Sequence, residues 1–351
     1  MPENQWSDRW SAVTYDRSAP FLSAAVSRGG QTVLSVSDGG EAEGAVRFGN
    51  ETPPETGALS GIFVGIAAVL LAERGLLSLD DPVRAYLPEF PFADTTLLQL
   101  LTHSSGIDPF CCRWERPLYW DAPDGSLPDA AVKKLCGQLR RTWEPGTDCR
   151  YFPFGDTLVL AALQHVCGGT LTDFLKESVL LPLGMTHSYL EPREVPPELR
   201  MPRFDAATGC TEYGNDRIFS GCAGFYSTAE DLLLLADDLL AALHGRRSRM
   251  FSPRSARLCC RKSTFGSCVR TPVFRCRGTG AESGFFSDLA SAKTLGCGFP
   301  GGCVLVLDPE SAISYAVLTN GAAEAEGFFR RMGNLLYGAC EETAMVTEIA
   351  Q

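Results

Sequence analysis

The stretch "LLQLLTHSSGI" (Leu97–Ile107) reads as an apolar helix, begun at Thr95 and Thr96, that ends in a polar turn at His103, Ser104 and Ser105. Just upstream, "GLLSLDDPVRAYLPEF" (Gly75–Phe90) reads as a turn and a short helix, with Gly75 closing the helix before it. That earlier helix, "GIFVGIAAVLLAERGLL", carries the longest apolar run of the chain, Ile62 to Leu71. The run is interrupted by Gly65 and closed by Glu73 and Arg74, so it predicts a buried helix and not a membrane span, which needs about 20 apolar residues.

Outward from this segment the pattern changes. Residues 21–48 predict two or three short strands, with "RGGQ" as a hairpin turn. Residues 107–150 are irregular around one helix, "DAAVKKLCGQLRR". "GDTLVLAALQHVCGG" and "TLTDFLKESVLLPLGM" predict two more helices. "STAEDLLLLADDLLAALHG" predicts a third, with a capping box from Ser227 to Glu230. The basic, Cys-rich stretch from Arg246 to Arg277 is expected to be loop or irregular strand. "GCVLVLD" and "AISYAVLTN" predict two antiparallel strands, and "EGFFRRMGNLLYGAC" a closing amphipathic helix. Strands that bracket a helical block imply an α/β (α+β) fold. Residues 1–75 and 215–351 are expected to form a discontinuous sheet domain and residues 76–214 a helical domain, with a cleft between them.

Composition narrows the function. The chain has 351 residues, 45% hydrophobic and 21% charged, which suffices for a large core. A net charge of −11 disfavours phosphate backbones and anionic membranes, so neither nucleic acid nor membrane is an expected partner. The N-terminal residues show no secretory signal, and a cytoplasmic location is expected. The fourteen cysteines are then expected to stay reduced. They include the adjacent pairs Cys111–Cys112 and Cys259–Cys260 and the even series Cys260, Cys268, Cys276. None has zinc-ligand spacing with a nearby histidine, and no metal or other cofactor is expected.

Five blocks occur in order: Gly75–Phe90, Leu97–Ile107, "WEPGTDCRY" (Trp143–Tyr151), "LLPLGMTHSYL" (Leu180–Leu190) and "GCAGFYSTAEDLLLLADDLL" (Gly221–Leu240). Together they resemble the serine β-lactamase and penicillin-binding-protein family, which includes class C β-lactamases, D-alanyl-D-alanine carboxypeptidases and related esterases. The resemblance runs from about Phe21 to Asn320. It implies an antiparallel sheet flanked by helices, joined to an all-helical domain, with the active site between them. It also implies three chemical motifs. A Ser-x-x-Lys at the start of a buried helix supplies nucleophile and base, on one helical face at i and i+3. A Tyr-x-Asn loop supplies a second proton carrier. A Lys or His, then Thr or Ser, then Gly, on an edge strand, shapes the substrate and oxyanion site.

This chain departs from all three. Counted back without gaps from "ERGLLSLDDP", the segment "TGALSGIFVG" (Thr56–Gly65) puts Ala58 at the serine position and Gly61 at the lysine position. In "YFP" the tyrosine, Tyr151, is kept, but Pro153 replaces the asparagine. In "GCGFPGG" Cys297 and Gly298 stand where the third motif falls, followed by Phe299; Lys293-Thr294 is a displaced candidate without the adjacent glycine. The expectation is a catalytically degenerate member, a pseudoenzyme. It would hold a small-molecule or peptide-like ligand in the old cleft through Ala58, Ser60, Gly61, Tyr151, Cys297 and Gly298, or act as scaffold or regulator for a protein partner. With small or apolar residues at four motif positions, the cleft is expected to be less polar than in the family and roomier.

The alternative is an active hydrolase, esterase or acyltransferase with a relocated nucleophile, Ser60 or Cys297. Ser60 lies two residues after Ala58, about 200° around a helix, and is expected to cap or bury its hydroxyl. Cys297 has no nearby histidine to draw off its proton. Tyr151 alone has an ordinary pKa of about 10, so a ligand hydrogen bond or packing is its expected role. In a third reading, Phe152, Phe299 or the "DPFCCRW" loop plugs the cleft and the protein is purely structural.

Overall fold

A computed structural model describes residues 3–15, 19–39, 48–112, 127–205, 210–212, 219–278, 284–298, 302–321 and 327–349. Among them the chain runs α1 (Glu3–Thr14), β1 (Phe21–Arg28), β2 (Gln31–Gly39), α2 (Ser60–Glu73), α3 (Leu97–Leu101), α4 (Asp129–Gln138) and α5 (Phe154–Gln164). Then come α6 (Leu171–Leu175), a π turn at Lys176–Leu180, α7 (Leu181–Leu183), β3 (Arg203–Asp205), β4 (Cys210–Glu212), α8 (Ala229–Leu243) and α9 (Pro253–Cys259). The chain closes with β5 (Ser263–Phe265), β6 (Cys268–Arg270), β7 (Arg275–Cys276), β8 (Leu295–Gly298), β9 (Cys303–Asp308), β10 (Ile313–Thr319) and α10 (Phe328–Ile349).

An eight-stranded antiparallel sheet has the order β2-β1-β10-β9-β8-β7-β6-β5, and β3 and β4 form a separate two-stranded sheet. The first strand of the chain thus pairs with the last, Leu22 opposite Thr319 through Arg28 opposite Ile313. The predicted hairpin at "RGGQ" forms because Gly29 and Gly30 both take positive φ, 63° and 86°, the signature of a tight two-residue turn. On β9 the burial alternates. Val304 and Val306 join Val317 and Tyr315 under α10, whereas Leu305 and Leu307 join the larger core that also holds α2, α5 and α8. The sheet is therefore covered on both faces, and its second face shares one continuous core with the helical middle of the chain.

Two expectations are corrected. The stretch 246–277 is not irregular: Ser252 caps α9 with a capping box to Ser255, and β5, β6 and β7 extend the main sheet beyond β8. Alternating charged and cysteine residues hide the short strands, which the hairpin tip at Thr271–Phe274 holds in register. The α8 cap is Thr228, one residue later than read, its side chain accepting from the Asp231 backbone N–H. Ser227 instead bonds Ser188, and Asp231 accepts from the His187 N–H and the Ser188 hydroxyl, all at 2.8 Å. Thus "THSY" and "STAED" are structural stitches between two distant segments. α1, which the sequence reading did not foresee, packs on α10.

Glycine decides how closely α2 is approached. A Cβ at Gly65 would lie 2.6 Å from the Pro272 carbonyl oxygen at the tip of the β6–β7 hairpin. In an open helix Gly→Ala is favourable by up to about 1 kcal/mol. Here overpacking, about 1–3 kcal/mol, is the larger effect. Gly65→Ala is therefore expected to lower stability in chemical denaturation, and an increase would show that the hairpin does not rest on this face.

Candidate functional site

The site forms where the start of α2 meets α5, the His103 turn and the β6–β7 hairpin. A 3-10 turn at Gly57–Leu59 leads into α2. It is stitched to the segment before α8: the Thr56 N–H and hydroxyl both donate to the Phe225 carbonyl, at 2.8 and 2.9 Å, and Glu55 accepts from the backbone N–H groups of Gly57 and Gly224. On the opposite wall, Gly146 N–H donates to Ser104 O at 2.7 Å and Arg150 N–H to His103 O at 2.9 Å, so the "HSSGI" turn carries the "WEPGTDCRY" loop and sets Tyr151. Gly106 is required there, because a Cβ would lie 2.1 Å from the Trp143 carbonyl oxygen. His103 adopts left-handed backbone, φ 53°, and its ring meets Tyr151 edge to face at 4.8 Å.

A small pocket opens here, about 30 Å³ in volume and open to solvent, and its walls include Ala58, Gly61, His103, Tyr151 and Cys297. The sequence reading did not single out three charged lining residues: Asp156 on α5, Arg270 on β6 and Arg275 on β7. All three are buried, at 6%, 7% and 8% exposure. The expectation of a less polar cleft is therefore wrong. The hairpin supplies cationic side chains that the motif positions have lost. Asp156 stands against Gly61: a Cβ built at Gly61 would lie 2.7 Å from its Oδ2. A carboxylate closes over the position where the family has its lysine.

Electrostatics follow from this enclosure. Burial pushes the Asp156 carboxyl up to about 7, although Arg270 and Arg275 both favour its ionised form. Burial, then Arg270 and Arg275, hold His103 well below its usual range, so its ring is neutral. Burial, followed by Asp156, raises Tyr151 well above its ordinary value. It keeps its proton, and the Arg275 guanidinium lies 5.7 Å from its ring centre.

Of the predicted residues, Ala58, Gly61, Tyr151 and Cys297 line this pocket, whereas Ser60, Pro153 and Gly298 do not. Ser60 is fully buried, its oxygen accepting from the Phe225 N–H at 3.3 Å. Pro153 is the N-cap of α5. Cys297 sits 3.9 Å from the Ala58 carbonyl oxygen, and burial raises its thiol to about 11. β8 is an interior strand, not an edge: β7 pairs with it at Leu295 and Gly296. Lys293 is exposed and faces Glu310 at 3.8 Å, so it is no displaced cleft lysine. Phe152 is buried against Phe154 and does not plug the pocket. Phe299, and residues 113 and 114 of the "DPFCCRW" loop, lie outside the described residues.

Residues 9–338 match the family described as Beta-lactamase. The chain belongs to that family. It is 31% identical over 145 residues to a penicillin-binding protein of Bacillus subtilis (strain 168), covering 41% of this chain and 32% of that one. It is 32% identical over 151 residues to the lovastatin esterase of Penicillium rubens, covering 36% and 37%. The matched part thus spans about a third of each of these two curated relatives. Among solved structures, the hydrolase EstCE1, described as having promiscuous acyltransferase activity, superposes with a TM-score of 0.73 at 19% identity, covering 95% of this chain and 99% of that one. At that identity the likeness shows the fold, a mixed α/β arrangement of an antiparallel sheet with helices. Among the described residues no helix is long and apolar enough to cross a membrane.

Asp156 makes a pH prediction. Its folded value lies above its unfolded value of 3.8, so the folded state holds the extra proton between the two. Its contribution to stability is therefore present at low pH and lost as pH rises towards about 7, by about 4 kcal/mol in all. Relative to Asp156→Asn, the wild-type protein should lose stability from pH 5 to pH 8 in urea titrations. Parallel curves for the two proteins would contradict the buried carboxyl.

Proposed function

We propose that this protein is a catalytically silent member of the β-lactamase family that uses its cleft to bind a ligand. The observation that carries the reading is the pair Ala58 and Gly61 on the pocket wall, with Asp156 closed over Gly61. A methyl group stands at the nucleophile position, and no amine stands at the base position. A serine hydroxyl without a base reacts poorly, and here the hydroxyl itself is missing.

The relocated nucleophiles gain little support. Ser60 is turned into the core and occupied by Phe225, and the half-buried Cys297 has its thiol raised to about 11 and keeps its proton. A purely structural role is weighed against by the pocket itself, which retains charged walls and an open mouth. Scaffolding of a protein partner is compatible with an occupied or empty cleft, and the proposed place of action is the cytoplasm.

Intact mass after incubation with a fluorophosphonate and with a β-lactam panel should show no adduct. A stoichiometric adduct mapping to Ser60, or to another serine of the cleft, would overturn the proposal. Installing Ala58→Ser with Gly61→Lys should give little ester hydrolysis, because the new Cβ collides with Asp156. Adding Asp156→Ala should raise the rate above the double variant. Equal rates in the folded double and triple variants would show that Asp156 does not block the lysine position.

A further inference from the structure

We infer that Cys149 and Cys268 form a redox-sensitive pair, which a small disulfide oxidant joins into an intramolecular disulfide that ties the Tyr151 loop to strand β6. The inference concerns the rim of the pocket and does not depend on the silent-enzyme reading.

The first observation is that two chain segments lie side by side. A Cβ at Gly266, just before β6, would lie 2.9 Å from the Thr147 carbonyl oxygen. Two residues further along both segments, the thiols of Cys149 and Cys268 are hydrogen-bonded to each other. Two residues further again, Tyr151 and Arg270 both line the pocket. Residues 147–151 and 266–270 therefore run alongside each other in the same direction. Alternate residues of a strand share a face, so Cys268 lies on the face of β6 that carries Arg270. The thiol pair stands one step outside the pocket, between its two walls.

The second observation is access. Cys149 and Cys268 both stand as half-buried thiols, within reach of a small reagent, whereas Cys222, Cys259, Cys276 and Cys303 are buried. Contact between two sulfurs is not enough by itself. Those of Cys111 and Cys112 lie 3.5 Å apart, but the two residues are neighbours in the chain. Neighbouring Cα atoms are about 3.8 Å apart across a trans peptide, short of the roughly 4.4–6.8 Å that a disulfide spans. Cys149 and Cys268 come from separate segments and carry no such restriction. A bond between them closes a chain loop of about 120 residues, the long-loop case in which a disulfide constrains the unfolded chain most.

The step is thiol–disulfide exchange with a low-molecular-weight disulfide of the glutathione type. Cys268 gives its proton to solvent and attacks one sulfur of the oxidant. The oxidant's S–S bond breaks, and its other half leaves as a thiolate that takes up a proton. Cys149 then loses its proton and attacks the Cys268 sulfur, expelling the second half as a thiol. Two cysteine thiols are oxidised to one disulfide, and the oxidant is reduced to two thiols. The order follows from the surroundings. The hydrogen bond with Cys268, and then burial, raise the Cys149 thiol, so it holds its proton and acts second. The Arg270 guanidinium acts the other way and favours the thiolate as it forms.

The test uses the full chain, reduced, freed of reductant and incubated with oxidised glutathione. Intact mass should fall by about 2 Da, the two hydrogens lost, and a digest made without reduction should contain the Cys149 and Cys268 peptides joined. Dithiothreitol should reverse both changes. The oxidised protein should melt about 3–6 °C above the reduced protein. Hydrogen exchange should slow in residues 143–151 and 263–270. Cys149→Ser and Cys268→Ser should each lose the link and both effects, and Cys111→Ser should keep them. The same mass loss mapping to another cysteine pair would overturn the inference, as would glutathione retained at Cys268 beside an unreacted Cys149. No reaction of either thiol with the oxidant would do so too. A link that leaves exchange in both segments unchanged would show that it ties nothing down. The link is read from the wild-type digest, so a serine variant that fails to fold does not remove the test.

Discussion

The close approach of two elements to the glycine face of α2 governs the site. Gly61 and Gly65 lie four residues apart, on one side of the helix. Asp156 of α5 closes on the first, and the Pro272 carbonyl of the β6–β7 hairpin closes on the second. Neither contact tolerates a Cβ without movement. Once the hairpin tip rests there, Arg270 and Arg275 are carried to the pocket by the strands that lead into and out of it. Loss of the lysine position and gain of the charged cluster are thus one packing arrangement.

That arrangement separates the scaffold from the chemistry. Several segments that carry the family likeness are held by hydrogen bonds away from the pocket, such as Asp231 accepting from His187 and Ser188, or Asp81 accepting from the Ser78 N–H and the Tyr86 hydroxyl. Those bonds fix helix starts and turns that any member of the fold needs. Burial sets the behaviour of the pocket residues: it outweighs two arginines at Asp156, keeps the Cys297 thiol protonated and keeps His103 neutral.

Much of this was legible in the chain. Hydrophobic periodicity located α2, α5, α8 and the β9–β10 pair, and the two glycines of "RGGQ" announced the first hairpin. The ungapped register put Ala58, Gly61, Tyr151 and Cys297 on the pocket, where the structure also has them. What was missed lies in tertiary placement. β6 and β7 are three and two residues long, too short for a period-2 pattern, so nothing set Arg270 and Arg275 apart from the basic stretch expected to be loop or irregular strand. Asp156 follows Tyr151 by five residues, within a helix start where an acid is ordinary. A pair of basic residues flanking "TPVF" was the available signal, and only a turn at those four residues would have turned the pair inward.

The most direct test of this account is the titration of the Asp156 carboxyl itself, followed by carbon NMR of its Cγ with Asp156→Asn to assign the signal. A midpoint near 7 is predicted, set by burial between α2 and the hairpin. A midpoint near 4 would mean a carboxylate that water or the arginines satisfy fully, and the closed arrangement over Gly61 would be wrong.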